Sequence, residues 1–323
     1  MLSDRIAPVE KENPSLGRLF MAAVQKRLRR KVSLRRLSSF RIGGKTDYFF
    51  EATSPAELRS CLRFVREHSI PFYLIGAGTN LLFDDAGFRG LILKNAVKGS
   101  ERTAGESAID VWVGTPLSDL VDLAAEEGLE GIEFAAGIPG TVGGAVFGNA
   151  GAFGRCLGEF LEEALLLDER GREFRAKTDF FEFSYRHSSL KKRHLVVLKA
   201  AFRLKRGDKG RIKAKIEENL EQRRSRHPSL RTAYAGSYFK NPVRPDQTKM
   251  AAGYLLEKVG AKELSRGRAA VYSGHANFLI NRGGARAQDV LGLAGELKAR
   301  VKKEFGIELE EEVIYLPADA SML

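Results

Sequence analysis

Cysteine is almost missing from this chain of 323 residues: Cys61 and Cys156 are the only two. Neither belongs to a CxxC or other metal-ligand spacing, so two reduced thiols in a cytoplasmic protein are the simplest expectation. Long apolar runs are missing too. None approaches the roughly 20 residues that span a bilayer, and no membrane association is expected. The opening MLSDRIAPVEKENPSLGRLF carries acidic residues and lacks the apolar stretch of a secretory signal. The five histidines, His68, His187, His194, His227 and His275, show no HExxH or paired-ligand spacing, so no metal site is expected. His275, in SGHANF, has the best functional claim among them, although a hydrogen-bonded structural histidine is favoured.

Charge is what the chain has in excess, at a formal +12. Part of it sits in 26-KRLRRKVSLRR-36. Aromatics do not interleave with that run, which removes a base-stacking platform and leaves a solvated basic segment as the favoured reading. Nucleic acid is therefore not an expected partner. The remaining excess suits an anionic small substrate carrying phosphates and a carboxylate. Hydrophobic residues make up 43%, enough for real cores.

The chain reads as an α+β protein in four parts. Residues 1–35 are a basic lead-in with a helix near 17–31, 36–206 a glycine-rich domain, 207–317 a smaller α/β domain, and 318–323 a tail. Strands are expected at 47–53, 72–75, 109–113, 164–168, 172–177, 195–205 and near 312–316. Helices are expected at 55–69, 116–127, 211–226, near 249–259, and at 286–304, each from apolar residues at helical spacing.

Two glycine-rich loops carry the first chemical signal. In 75-IGAGTNLLF-83, directly after a buried strand, Gly76, Gly78, Thr79 and Asn80 suit a main-chain phosphate cradle. The loop is neither a Walker A motif nor a GxGxxG, so a tight turn is the bland alternative. The second, 137-GIPGTVGGAVFGNAGAFG-154, holds seven glycines, costly to order as a plain linker. Two such loops about sixty residues apart suit a dinucleotide whose diphosphate is held by main chain.

With 39-SFRIGGKTDYF-49, 184-SYRHS-188, 236-GSYFKNP-242, 273-SGHANFLIN-281 and 309-LEEEV-313 in order, the chain resembles the UDP-N-acetylenolpyruvoylglucosamine reductase (MurB) family over roughly residues 36–316. The resemblance implies an FAD-binding domain of the p-cresol methylhydroxylase/vanillyl-alcohol oxidase type, followed by a substrate domain. It implies noncovalent FAD, NADPH as hydride donor, a UDP-sugar substrate and a monomer in the cytoplasm. The implied reaction reduces the enolpyruvyl group of UDP-N-acetylglucosamine enolpyruvate to give UDP-N-acetylmuramate for peptidoglycan synthesis. An FAD-dependent alcohol oxidase of the same fold is the alternative, and a nucleic-acid module using residues 26–36 a third class.

By motif, the resemblance gives catalytic roles to Arg186, Ser237 and Glu312. FAD would be held by Gly76, Ala77, Gly78, Thr79, Asn80 and Leu81 in the first loop. In the second it would be held by Gly137, Gly140, Thr141, Gly143, Gly144, Asn149, Ala150 and Gly151. Arg223, Arg226 and Asn241 would contact substrate. The chain departs from the common pattern at Ala77, Thr79, Arg226 and Glu311, and looks like the family's shorter type. Three consecutive glutamates, Glu310 to Glu312, leave the register of the catalytic one open by a residue.

The chemistry suits these residue types. Hydride addition to the substrate's double bond leaves an enolate, whose carboxylate an always-charged bidentate arginine can hold. The enolate then needs one proton. Ser237 is an unactivated nucleophile, a turn residue or that proton donor. Glu312 either donates a proton when buried and neutral or orients Arg186 or a water.

Overall fold

The computed structural model describes residue 24 and residues 26–102, 107–229, 231–243 and 248–319. Its α+β class is the one expected. The chain forms two compact units, and both are discontinuous in sequence. The first contains Phe50–Gly76 and Leu93–Asn219, together with the described residues up to Arg29. The second contains Arg30–Phe49, Ala77–Ile92 and Leu220 onward. The expected division at 206/207 was linear; here, early segments fold with the C-terminal part.

The first unit is built on a five-stranded antiparallel sheet. Its order is Glu173–Lys177, Leu161–Leu167, Val196–Arg203, Ala108–Trp112, Ser100–Arg102. Alternation along Val196–Arg203 sends Leu198, Ala200 and Phe202 into the core. The helix Pro55–Glu67 starts where Ser54 Oγ accepts from Glu57 N at 3.2 Å, and it buries Leu58, Cys61, Leu62 and Val65 as one stripe. Burial pushes the Cys61 thiol up to about 12, so it behaves as an apolar core residue. Within the second glycine loop, Val142–Gly148 is a helix, where a loop was expected. Glycine is a poor helix former. Here the first turn is fixed from outside: Val142 N and Gly143 N donate to the carbonyls of Thr115 and Val113, and Gly144 N to Thr141 Oγ1 at 3.3 Å.

In the second unit, short antiparallel strands pair in the order Ala233–Tyr234, Leu279–Asn281, Ala269–Val271, Ser265–Arg266. The helix Ala287–Phe305 buries Val290, Leu293, Ala294, Leu297 and Val301 in the core of this unit. Gly306, at φ +68, closes it by donating to Lys302 O at 2.9 Å. Two long-range pairings explain the interleaving. Leu81–Phe83 runs parallel to Ile314–Leu316, with Leu81 opposite Ile314. Asn281 Nδ2 donates to Phe40 O at 3.0 Å.

The basic helix expected near 17–31 lies mostly outside the described residues. Within them, Val24, Lys26 and Arg27 are helical as expected, but Arg29–Ser33 is a strand. Lys31, at positive φ, pairs with Asp47 at 2.6 Å, and Arg30 covers the Tyr48 ring, so sheet partners claim these cations. No described helix is long and apolar enough to cross a membrane.

Candidate active site

Ser237 follows Gly236, whose φ of +77 turns the chain into an extended segment. That segment is held on both sides. Asn277 O accepts from Tyr238 N at 2.8 Å. The Asn277 side chain accepts from Phe239 N at 2.9 Å and donates to Phe239 O at 2.8 Å. On the other side, Glu312 N donates to Tyr238 O and Lys240 N to Glu310 O, both at 2.8 Å. Ser237 is half-buried, and among the described residues its Oγ has no hydrogen-bond partner. It caps no helix here, which removes the simplest structural role for it. Asn277, buried and missed in the sequence reading, fixes its segment; a polar residue between Ala276 and Phe278 was the available signal.

The same ladder sorts the three glutamates. Glu310 pairs with Lys240, and Glu311 with Lys298 at 2.9 Å. Glu312 is fixed through its main chain: its N–H donates to Tyr238, and its carbonyl accepts from Asn80 Nδ2 at 2.9 Å. The two neighbours thus make ion pairs with lysines, and Glu312 is joined to the Ser237 segment by its main chain.

Arg186 belongs to the other unit. It sits at φ +55, a conformation costing a non-glycine residue roughly 1–2 kcal/mol. The turn is pinned by reciprocal Ser184 and His187 main-chain bonds at 3.1 Å, by Lys191 Nζ on Arg186 O at 2.7 Å, and by Asn149 Nδ2 on Ser184 O at 2.8 Å.

Asn149 was expected at the cofactor. Its side chain is instead committed to the protein, with Oδ1 accepting from Gly158 N at 2.9 Å. Ala150 N is spent on Ala145 O, and a Cβ on Gly151 would lie 2.4 Å from Arg155 O. Gly78 also has a reason inside the fold: at φ +68, a Cβ there would meet Leu37 O at 1.8 Å. Gly76 packs on Thr141, where a Cβ would lie 2.3 Å from Oγ1.

Other glycines have no such reason. At Gly144 a Cβ would meet nothing closer than 3.7 Å, and at Gly148 nothing within 4 Å. They are four apart on one helix, so they share a face. That face lacks side chains although the protein leaves room for them. Among the described residues, no carbonyl accepts from the main-chain N–H of Gly76, Ala77, Gly78, Asn80, Gly137, Gly140 or Thr141. Within the first unit, the open N–H groups of Gly76, Gly137, Gly140 and Thr141 and the Cβ-free helix face suit a diphosphate-bearing, flat cofactor; those of Ala77, Gly78 and Asn80, in the second unit, suit a phosphate by themselves. Gly148 was not among the residues expected there.

The residues expected at substrate divide similarly. Asn241 Oδ1 accepts from Ala252 N at 3.0 Å and so caps the helix Ala252–Lys258. Arg223 and Arg226 lie in the last turn of the helix Lys209–Arg226, Arg223 half-buried and Arg226 exposed. Beside them, His227 is lowered to about 4 by burial first, then by Arg223, His275 and Arg226. The rings of His227 and His275 both rest on Phe278, at 4.8 and 5.0 Å. His275 Nδ1 accepts from Asn277 N at 3.1 Å, the structural role favoured for it.

Family models for an FAD binding domain and for the UDP-N-acetylenolpyruvoylglucosamine reductase C-terminal domain match residues 46–177 and 227–316. A UDP-N-acetylenolpyruvoylglucosamine reductase of Moorella thermoacetica is 41% identical over 280 residues, 87% of this chain and 90% of the relative. The chain belongs to the UDP-N-acetylenolpyruvoylglucosamine reductase family. Another such reductase, from Heliobacterium modesticaldum, is 38% identical over 86% of this chain and 87% of its own. The crystal structure of the Thermus caldophilus reductase superimposes with a TM-score of 0.75 at 32% identity, covering 90% of this chain and 99% of that one. The family's two matched segments contain both glycine loops and the Ser237 and Glu312 segments.

Proposed function

We propose that this protein reduces the enolpyruvyl group of UDP-N-acetylglucosamine enolpyruvate to UDP-N-acetylmuramate, with FAD as cofactor and NADPH as hydride donor. The setting is cytoplasmic synthesis of peptidoglycan precursors. The observation that carries this reading is the hydrogen-bonded ladder that joins the Ser237 segment to Glu312 inside the family's C-terminal domain.

When bound, FAD supplies the hydride that adds to the substrate double bond, and NADPH replaces it. The open N–H groups of Gly76, Ala77, Gly78, Asn80, Gly137, Gly140 and Thr141 are assigned to its diphosphate, and the face of Gly144 and Gly148 to close approach. Arg186 holds the substrate carboxylate as negative charge grows toward it, which a guanidinium does without changing protonation. Ser237 Oγ gives its proton to the enolate carbon. Glu312 is the titratable group of the pair; it donates when neutral or orients the arginine or a water, and the pH profile of the substrate step separates these. Arg223 and Arg226 offer positive charge to the UDP phosphates.

The test is a visible absorbance spectrum of the purified protein, followed by anaerobic NADPH and then the enolpyruvyl substrate. A yellow protein bleached by NADPH and recoloured by the substrate is expected. A colourless protein that takes up no FAD overturns the reading.

A further inference from the structure

Asn80 was expected to bind the cofactor, yet its side chain points its donor elsewhere. Nδ2 donates to the Glu312 carbonyl at 2.9 Å, and the Asn80 carbonyl accepts from Ile314 N at 3.0 Å. One residue of the first glycine loop thus brackets residues 312–314 at two points. Directly beside it, Ser39 Oγ donates to Tyr234 O at 2.7 Å and lies 3.3 Å from Thr79 O, while Ser39 N donates to Gly78 O at 3.2 Å. All of these residues lie in the second unit. The strand Leu81–Phe83 continues the grip by pairing with Ile314–Leu316.

We infer that Asn80 is a positioning residue for the substrate step, setting the main chain of Glu312 from within the loop whose N–H groups face the cofactor. The physical reason is reach. A parallel pair ends at Leu81 and Ile314, and Glu312 lies two residues before that end. Without a side-chain donor its carbonyl would have no anchor to the loop, and the peptide would be held from its other side alone, by Val313 N on Tyr238 O at 3.4 Å. Glu312 N is fixed to Tyr238 O, so a shift there is passed to the Ser237 segment as well. A cofactor that orders the loop therefore also orders the carboxylate and the hydroxyl. This inference rests on the proposed catalytic role of Glu312.

The experiment is a double-mutant cycle of Asn80→Ala and Glu312→Gln, read by stopped-flow absorbance with NADPH and with the enolpyruvyl substrate separately. Asn80→Ala retains the main-chain N–H assigned to the diphosphate and loses only the side-chain donor, so per bound flavin the substrate step should slow about tenfold more than the NADPH step, the scale of one lost hydrogen bond. In the Glu312→Gln background the same change should cost less than about twofold, because the group it positions is already disabled. Asn80→Gln, which keeps an N–H donor on a longer arm, should recover part of the rate. It also serves if Asn80→Ala is not recovered folded. Loss of FAD with an intact substrate step per bound flavin returns Asn80 to being a cofactor ligand. Additive losses in the cycle overturn positioning through Glu312. A Glu312→Gln variant with a normal substrate step overturns the catalytic assignment itself, and this inference with it.

Discussion

Asn277 clasps the Phe239 peptide at both ends, accepting from its N–H at 2.9 Å and donating to its carbonyl at 2.8 Å. Both groups are buried, so removing the clasp leaves a donor and an acceptor without partners. Asn277→Ala should cost roughly 2–4 kcal/mol, read as a lowered denaturant midpoint. Asn277→Asp keeps the acceptor but sets a buried carboxylate oxygen against the Phe239 carbonyl, and should cost at least as much. In the folded fraction, the substrate step should slow more than the NADPH step, because the clasp sits two residues from Ser237. Equal slowing of both would show that the clasp serves the fold alone.

Gly144→Ala and Gly148→Ala separate cofactor approach from packing. Nothing in the protein excludes a Cβ at either position, and alanine favours a helix over glycine by up to about 1 kcal/mol. Stability of the flavin-free protein should hold or rise, while FAD affinity falls. Gly78→Ala is the contrast. It meets Leu37 O and a positive φ, so the fold should suffer whether or not FAD is present. Unchanged FAD affinity in Gly144→Ala and Gly148→Ala would remove that helix face from the cofactor site.

How much of this was legible in the sequence follows the range of each interaction. The helix Pro55–Glu67 and the strand Phe72–Ile75 announce themselves by local periodicity and flanking proline. The strand Leu81–Phe83 does not: it is three residues long and its partner is Ile314–Leu316. The interleaving of the units hangs on that pairing. Among the proposed site residues, motif order is what singles out Arg186, Ser237 and Glu312. What it could not give is which glycines serve the fold, as Gly78 does, and which leave a face open, as Gly148 does. That distinction depends on atoms contributed by distant segments. The asparagines at 80, 149 and 277 were opaque for the same reason, since a lone asparagine carries no periodic signal of its partners.

The three consecutive glutamates make a direct comparison. Glu310→Gln and Glu311→Gln each remove an exposed or half-exposed lysine pair, with an expected stability change within about 1 kcal/mol. Their substrate step should stay near the parent rate. Glu312→Gln keeps shape and hydrogen bonding but cannot titrate, and should slow that step strongly. A sensitive Glu311 would move the catalytic register by one residue.

His227 gives a pH dependence whose sign is fixed. Its folded pKa, near 4, lies below the ordinary 6.5, so the unfolded chain binds the extra proton first. Stability from keeping this ring neutral is complete above about pH 6.5 and is lost as pH falls toward 4. Burial is the main cause, and Arg223, His275 and Arg226 oppose protonation further. Denaturation midpoints should fall across that window, and His227→Phe should shrink the fall, with His275 left to contribute its own share. An identical pH slope in the variant would move the titrating group elsewhere.

Ser237→Ala tests the proton donor. The hydroxyl has no part in hydride transfer from NADPH, so bleaching of the flavin by NADPH should keep its rate. The substrate step should slow, because the enolate is no longer trapped by a placed acid. General acid catalysis supplies about 10²–10⁴-fold, so a loss of at least roughly a hundredfold is expected. Stability should barely change, since Oγ has no partner among the described residues and the segment is held by Asn277 and Glu312 instead. Substrate affinity should also change little. Ser237→Cys should recover part of the rate, because a thiol still donates a proton. Stopped-flow absorbance of the two steps, taken separately, decides it. Slowing of both would point to a misplaced flavin, and an unchanged substrate step would take the proton from another group.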